Sequence, residues 1–398
     1  MPLIYTEDGE YVFAIDDHGD TRNGKSQWVV YDKAMNAILD RHSYEASRGE
    51  QPAPPSPPPA APSPEVPPIG PSAPVPTPGA AMRVFQVTDA SDGELTPRMY
   101  SYWSNAWIAS DGSIYVFVGH ADGHPRFFRV PHGGAVERLG SPLSYTGTAE
   151  GWYWDAAGWI YLLDGSRLRH VDPFGSRDDV VFDIGDTHPG CRLWQAHSSD
   201  DGQTHSATVQ RITDNGPYQN AGTVVVSHGQ QEYFPAQGTL DESQITADGS
   251  YLIIKEDDDN RVITMGTRDT RLFRNADGAL GHSDCGRSLI VGEDDQHGEC
   301  VLYDLHEPLV PERRRTLFKT WAMGHISVKG NRCLLSDATH LSLVALDGSG
   351  VTPLIAHGMV GSDYDHQVQG NLDPTGRVAC YMTNHGGERF DVFLLVLP

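Results

Sequence analysis

Seven glycines recur along the sequence, and five residues before six of them stand Trp107, Tyr153, His197, Gln244, His325 and Asn371, with Gly281 beside His282 at the remaining place. Seven residues back, the same count meets Asn105, Gly151, Gln195, Glu242, Met323 and Gln369. Residues two apart in an extended chain share a face, so both sets give one side of a series of strands a polar character. Aromatic rings with amides and carboxylates suit a sugar, whose apolar faces stack on Trp or Tyr while its hydroxyls take directional hydrogen bonds. Imidazole with carboxamide oxygen also suits a divalent metal such as Mn²⁺ or Zn²⁺. Neutral histidines satisfied by internal hydrogen bonds are the third reading, and spacing leaves all three open.

The strands that position these side chains are set by the glycines themselves. Gly112, Gly158, Gly202, Gly249, Gly286, Gly330 and Gly376 are separated by 46, 44, 47, 37, 44 and 46 residues. The last unit shows the pattern most fully: a polar-lined strand, the Pro374-Thr375-Gly376 turn, a strand over 377–382, a loop over 384–388 and a closing strand over 390–397. A period near that length, built of short strands and turns, predicts a β-propeller. The fold class expected is all-β, with a seven-bladed propeller over residues 82–398. The seventh unit supplies three strands, and residues 82–88 (MRVFQVT) are expected to close the ring as its fourth, leaving no open sheet edge. First strands line the channel of such a ring, so the polar set is expected to face it as a solvated pocket. Loops 120–124, 257–260 and 294–297, with His340 and His385, would rim its mouth.

The remainder of the chain reads as two further segments. Residues 1–48 predict a small α+β unit with a hairpin over 3–15, a strand over 27–31 and a short helix over 33–41. So few residues bury little apolar surface, so docking on a larger protein assembly is expected. Gly19 to Ser26 (GDTRNGKS) matches the phosphate-loop pattern. That chemistry needs a helix starting at Lys25, whereas Gln27-Trp28-Val29-Val30-Tyr31 reads as strand, leaving a polar loop. Residues 49–81 are a linker: the stretch 51–80 holds 14 of the 28 prolines and favours an extended helix. At ~3.1 Å per residue it reaches ~90 Å as a semi-rigid spacer.

Composition narrows the partners. With 29 basic against 53 acidic residues the formal charge is −24, which argues against nucleic acid, whose phosphates need clustered Lys and Arg. The five cysteines are scattered, read as buried thiols, with one alternative bridge between Cys285 and Cys300. No stretch approaches the ~18 apolar residues of a membrane span. The opening MPLIYTEDGEY has neither the basic region nor the apolar core of a secretory signal.

The segments 244–251, 281–290 and 369–381 resemble the TolB-type repeat, a polar strand followed by a turn and an apolar strand. The whole propeller is similar in layout to the oligogalacturonate lyases, which hold a metal in the channel and cleave uronic-acid polymers by β-elimination. That resemblance implies a metal held by His282, His325 and Gln369, within His366-Gln367-Val368-Gln369, where the family's histidine pair falls on Gln367 and Gln369. His197 or Tyr153 would then be the catalytic base. A small unit, a Pro-rich stalk and a terminal propeller also resemble the layout of viral fibres and adhesins. The expectation is a particle-anchored protein at the surface of a virion or similar particle, binding a glycan or other host receptor through Trp107, Tyr153, His197, Gln244, His325, Gln369 and Asn371. A metal-assisted lyase is the alternative and a protein-binding scaffold a further one, with the cytoplasm as the alternative location.

Overall fold

The computed structural model describes residues 83–397, apart from 97–98, 133–134, 147–148, 150, 214–215, 275–279, 295–296, 320–322 and 361–366, together with four strand backbones nearer the N-terminus. Those four, Leu3–Tyr5, Tyr11–Asp16, Lys25–Asp32 and Ala37–Glu45, form an antiparallel meander. The short helix expected over 33–41 is corrected, because Ala37–Glu45 pairs with Lys25–Asp32 from Ala37 opposite Asp32 to Glu45 opposite Lys25. The neighbouring β-branched and aromatic strand offers a full ladder of hydrogen bonds, which a single short helix could not match. A strand starting at Lys25 also removes the helix that a phosphate loop needs. The glycines of that motif and the Pro-rich stretch lie outside the described residues.

The propeller is a compact unit of its own. Its first blade is Ala106–Ile108, Ile114–Val118, Arg126–Val130 and Glu137–Gly140, and its second Tyr153–Trp154, Ile160–Asp164, Arg167–Val171 and Asp178–Asp183. Blade three is Cys191–Ser198, Thr204–Thr213, Gly216–Ser227 and Gln230–Pro235; blade four is Leu240–Ile245, Tyr251–Glu256, Asp259–Thr264 and Thr270–Phe273. Blade five comprises Ser283–Cys285, Leu289–Asp294, Glu299–Asp304 and Arg315–Lys319, and blade six Met323–Lys329, Arg332–Asp337, His340–Ala345 and Val351–Ala356. In blade seven Asn371–Leu372, Val378–Thr383 and Asp391–Val396 are completed by Arg83–Gln86. The chain is a seven-bladed β-propeller.

Its closure follows the sequence-based expectation. Leu394 pairs with Phe85 and Val396 with Arg83, the Val87 amide donates to Val392 O at 2.7 Å, and Thr88 Oγ1 donates to Asp391 Oδ1 at 2.9 Å. Six of the seven turn glycines have positive φ, from 60° at Gly330 to 88° at Gly158. In the shortened fifth blade Ser288, at φ 48°, takes that role instead of Gly286. Among the described residues the apolar core forms seven clusters, one at each interface between neighbouring blades. Both faces of a blade are therefore packed, which is why Val378–Thr383 is buried at every position. All five cysteines are free thiols. Cys285 and Cys300 sit on first and third strands separated by Leu289–Asp294, strands roughly 9–10 Å apart at normal spacing, and Cys285 is level with Tyr303 rather than Cys300, so the pair is beyond disulfide reach.

Phe85 is 5% exposed in the cluster joining blades seven and one, so Phe85→Ala should cost ~3–5 kcal/mol in denaturant unfolding. An unchanged midpoint would mean that the first strand does not hold the ring shut.

Candidate functional site

The polar set foreseen on the inner strands is present, but Trp107, Tyr153, Gln244 and Asn371 point at the next blade. Trp107 Nε1 donates to Ala156 O at 3.3 Å across blades one and two, and Tyr153 OH meets Ser198 Oγ at 2.7 Å across two and three. Thr208 and Ser243 hydroxyls meet at 3.3 Å across three and four, and Gln244 Nε2 donates to Ser283 O at 3.0 Å across four and five. Val328 N donates to Asp284 Oδ2 at 2.6 Å, and Leu372 N to Ser327 Oγ at 3.1 Å. Blade seven returns to blade one through a reciprocal amide pair. Asn371 Nδ2 donates to Asn105 Oδ1 at 2.9 Å, and Asn105 N donates to Asn371 Oδ1 at 3.0 Å. Every one of the seven joints thus carries a polar bond, and nearly all of them involve an innermost strand.

The expected solvated pocket is replaced at the centre by buried groups: His325 and Asn371 are 0% exposed, Gln244 3% and His197 8%. Residues 99–105, between the closing strand and blade one, form a plug that sequence reasoning missed. Trp103 Nε1 donates to Ala196 O of blade three at 2.8 Å, and the Tyr102 hydroxyl hydrogen-bonds Glu242 of blade four. Lys329 Nζ of blade six donates to Tyr102 O at 3.3 Å, and Asn371 Nδ2 of blade seven reaches Tyr100 O at 3.4 Å. A segment bonded to blades on opposite sides of the ring lies across its axis. The aromatic run Tyr100-Ser101-Tyr102-Trp103 is the signal that could have revealed it. A bulge in blade three, with Gln195 at φ 47°, turns His197 toward this plug, its ring 5.7 Å from that of Trp103.

Burial governs the titration of this centre. It pushes Glu242 up to about 8, against the opposing charge of Lys255, and Asp284 up to about 6, against that of Lys329. It holds His197 down to about 3, with Lys329 acting in the same direction. Of the metal-ligand candidates, the rings of His282 and His325 lie 4.9 Å apart. Gln369 precedes Gly370, whose amide donates to Ser336 Oγ beside His325, and its buried Oε1 has no hydrogen-bond partner among the described residues. No group of three His, Cys, Asp or Glu converges among those residues, so a divalent ion would take two imidazoles and one carboxamide. His366 lies outside them.

Open, concave surface lies at the opposite end of the strands from the foreseen mouth. In an antiparallel meander the first-to-second and third-to-fourth turns share one end. Between blades three and four these turns enclose a cleft of about 820 Å³ lined by Asp201, Asp248, Ser250, Tyr251 and Gln230 among others. Between blades five and six a second cleft, of about 600 Å³, is lined by Arg287, Arg315, Asn331, Leu302 and Leu346 among others. Between blades one and two, Trp107 stacks on Trp154 at 5.6 Å, Tyr115 lies 5.4 Å from Trp107 and 5.0 Å from Phe174, and Phe174 is 48% exposed. Trp107 itself lies against Gly158, where any Cβ would sit 2.3 Å from the indole.

No family model matches the sequence. No curated protein matches it either. Among solved structures it is similar to a prolyl endopeptidase at 12% identity and TM-score 0.45, over 75% of this chain and 51% of that one. The chain thus spans about half the length of that endopeptidase. It is also similar to a puromycin-hydrolyzing peptidase of Mycobacterium tuberculosis at 14% identity and TM-score 0.45, over 79% and 53%. A chain of the nidogen/laminin complex matches at 14% identity and TM-score 0.39, over 60% and 92%. The propeller assignment itself rests on strand order and register.

The buried acid makes stability depend on pH. Because the folded pKa of Glu242 lies above its ordinary 4.5, folding favours the protonated form, and stability drains away as pH climbs toward about 8 at up to ~1.4 kcal/mol per unit. Asp284 has completed the same change by about 6, and His197, depressed by burial, contributes stability that falls only below its ordinary 6.5. Between pH 6.5 and 8 the unfolding midpoint should therefore fall, and Glu242→Gln should flatten that fall. Equal slopes in both proteins would contradict the assignment.

Proposed function

We propose that this chain is a binding protein whose propeller recognises a cell-surface glycan on the face formed by the first-to-second and third-to-fourth-strand turns. One contrast carries the reading. Tyr153, Gln244 and Asn371 of the inner strands bond to neighbouring blades, whereas the turn face exposes an aromatic shelf at Phe174 and a cleft lined by hydroxyls, amides and carboxylates. Stacking rings beside directional donors and acceptors are what a sugar requires. Of the residues singled out from sequence, Trp107 belongs to this shelf.

The layout supports presentation at a distance. The N-terminal unit would dock on a virion or similar particle, the Pro-rich stretch would hold the propeller away from it, and several copies would turn weak sugar contacts into avidity. Phosphate-backbone partners remain disfavoured by the −24 charge. A metal-assisted lyase is the second reading, favoured by the proximity of the His282 and His325 rings. A bound divalent ion would there acidify the proton beside a uronate carboxylate.

Glycan-array binding by the full chain should fall at least fivefold in Phe174→Ala, whose exposed ring leaves the fold intact. Silence on the array, together with capture of a protein partner, would replace the glycan reading with the scaffold one. Deleting residues 1–48 should abolish incorporation into the particle while the propeller still unfolds cooperatively; unchanged incorporation would refute the anchor. For the lyase reading, incubation with a uronate polymer and Mn²⁺ should raise ultraviolet absorbance from the unsaturated product. No rise, with no metal found by mass spectrometry, removes it.

A further inference from the structure

The two clefts on the turn face share a wall. His306 lines both of them, and its Nδ1 meets the Tyr251 hydroxyl at 3.0 Å. The lobes on either side differ in chemistry. The lobe at blades three and four offers Asp201, Asp248, Gln230, Ser250 and Thr264 around the Tyr251 ring, and its Arg268 is paired with Glu232 at 2.8 Å. Asp201 is held below the usual carboxylate range by the Ser199 hydroxyl and the Gln203 amide. Asp248 is held low as well: burial pushes it up, but hydrogen bonds from Ser288, Thr246 and Ser250 outweigh that. Both stay ionised and accept hydrogen bonds from neutral hydroxyl groups, while repelling an anion. The lobe at blades five and six is lined by apolar Leu289, Leu302 and Leu346 together with Arg287 and Arg315. Its carboxylates, Asp304 and Asp347, accept from His306 N at 2.9 Å and Ser349 N at 2.8 Å, and the two guanidiniums balance their charge, whereas carboxylates outnumber guanidiniums in the other lobe. Arg315 Nη1 donates to Leu346 O at 2.7 Å, which anchors one edge of a planar group that carries further donors. Among the described residues Arg287 makes one ion pair, a largely exposed contact with Asp200 at 3.4 Å, too weak to hold it.

Resting on the glycan reading above, we infer that these lobes form one bipartite groove for a linear oligosaccharide carrying an anionic group. Neutral hydroxyls occupy the lobe of Asp201 and Asp248, and a carboxylate or sulfate occupies the lobe of Arg287 and Arg315, with His306 at the saddle between them. The order of charge along the groove fixes the direction of the ligand. A peptide fits less well, because the lobe of Asp201 and Asp248 is lined mainly by polar and charged groups, with Tyr251 and Met265 as its apolar surface.

Calorimetric titration of the full chain should use a tetrasaccharide alternating N-acetylhexosamine with hexuronate, the same tetrasaccharide with its carboxylates reduced to alcohols, and oligoglutamate. The acidic sugar should bind at least tenfold tighter than its reduced form. Arg287→Ala should close most of that gap without altering the reduced sugar's affinity, and Arg315→Lys should close it partly. Equal affinity for both sugars, or a gap that neither variant changes, overturns the inference and leaves the glycan reading standing. Binding of neither sugar, with a silent glycan array, is failure of the glycan reading itself and takes this inference with it. Oligoglutamate binding as tightly as the acidic sugar overturns the sugar assignment in favour of an acidic peptide. If the reduced form binds tenfold tighter, the anionic lobe is refuted.

Discussion

The hydrogen bonds that pass from one innermost strand to the next blade are what the rest of this propeller depends on. A ring of seven sheets has to bury polar groups near its axis, where strands converge and side chains have no water to reach. An unpaired buried donor or acceptor costs ~1–3 kcal/mol, whereas a satisfied one adds modestly and fixes geometry. The Asn105–Asn371 pair solves this at one joint, and Ser283 O satisfies Gln244 Nε2 at another, so that one blade completes the next. The plug does the same across the axis, where Lys329, Glu242 and Asn371 meet the run 100–103. Apolar clusters at each interface supply the bulk of the burial, and the polar bonds set the register between blades.

Much of this was legible in the residues. The spacing of the turn glycines gave the number of blades, because six of them occupy a backbone conformation that glycine tolerates best. The closing strand was legible because MRVFQVT has strand character with nothing else to pair with, and a three-stranded final unit leaves a vacancy. The polar face of the inner strands was legible too. Its destination was not, because alternation along a strand distinguishes two faces without saying what lies opposite either. In a sandwich one face meets solvent; here both meet another blade, so Tyr153 and Gln244 point into joints. Residues 99–105 escaped notice because they belong to no repeat. The helix foreseen over 33–41 failed because local composition said nothing of the neighbouring strand at Lys25–Asp32.

That placement moves the search for function from the channel to the turns. A side chain that spans a joint is constrained by the fold, and its type reports on assembly. Side chains on the turn face touch neighbouring blades more lightly: Phe174 stays 48% exposed beside Tyr115, and Arg287 meets Asp200 through a largely exposed contact at 3.4 Å. Their concentration on one end of the strands, with two clefts between the blades there, is what a recognition surface requires. The acidic balance of the chain fits this too, since carboxylates such as Asp201 and Asp248 repel phosphate backbones.

A double-mutant cycle on Asn105 and Asn371 tests the central claim most directly, with both stability and glycan affinity measured for Asn105→Ala, Asn371→Ala and the pair. The joint account predicts that each single change lowers unfolding free energy, that the double change is non-additive by ~1 kcal/mol, and that affinity stays within twofold of the parent. Unchanged stability with affinity lost in Asn371→Ala would contradict it, and would return the inner strands to the ligand.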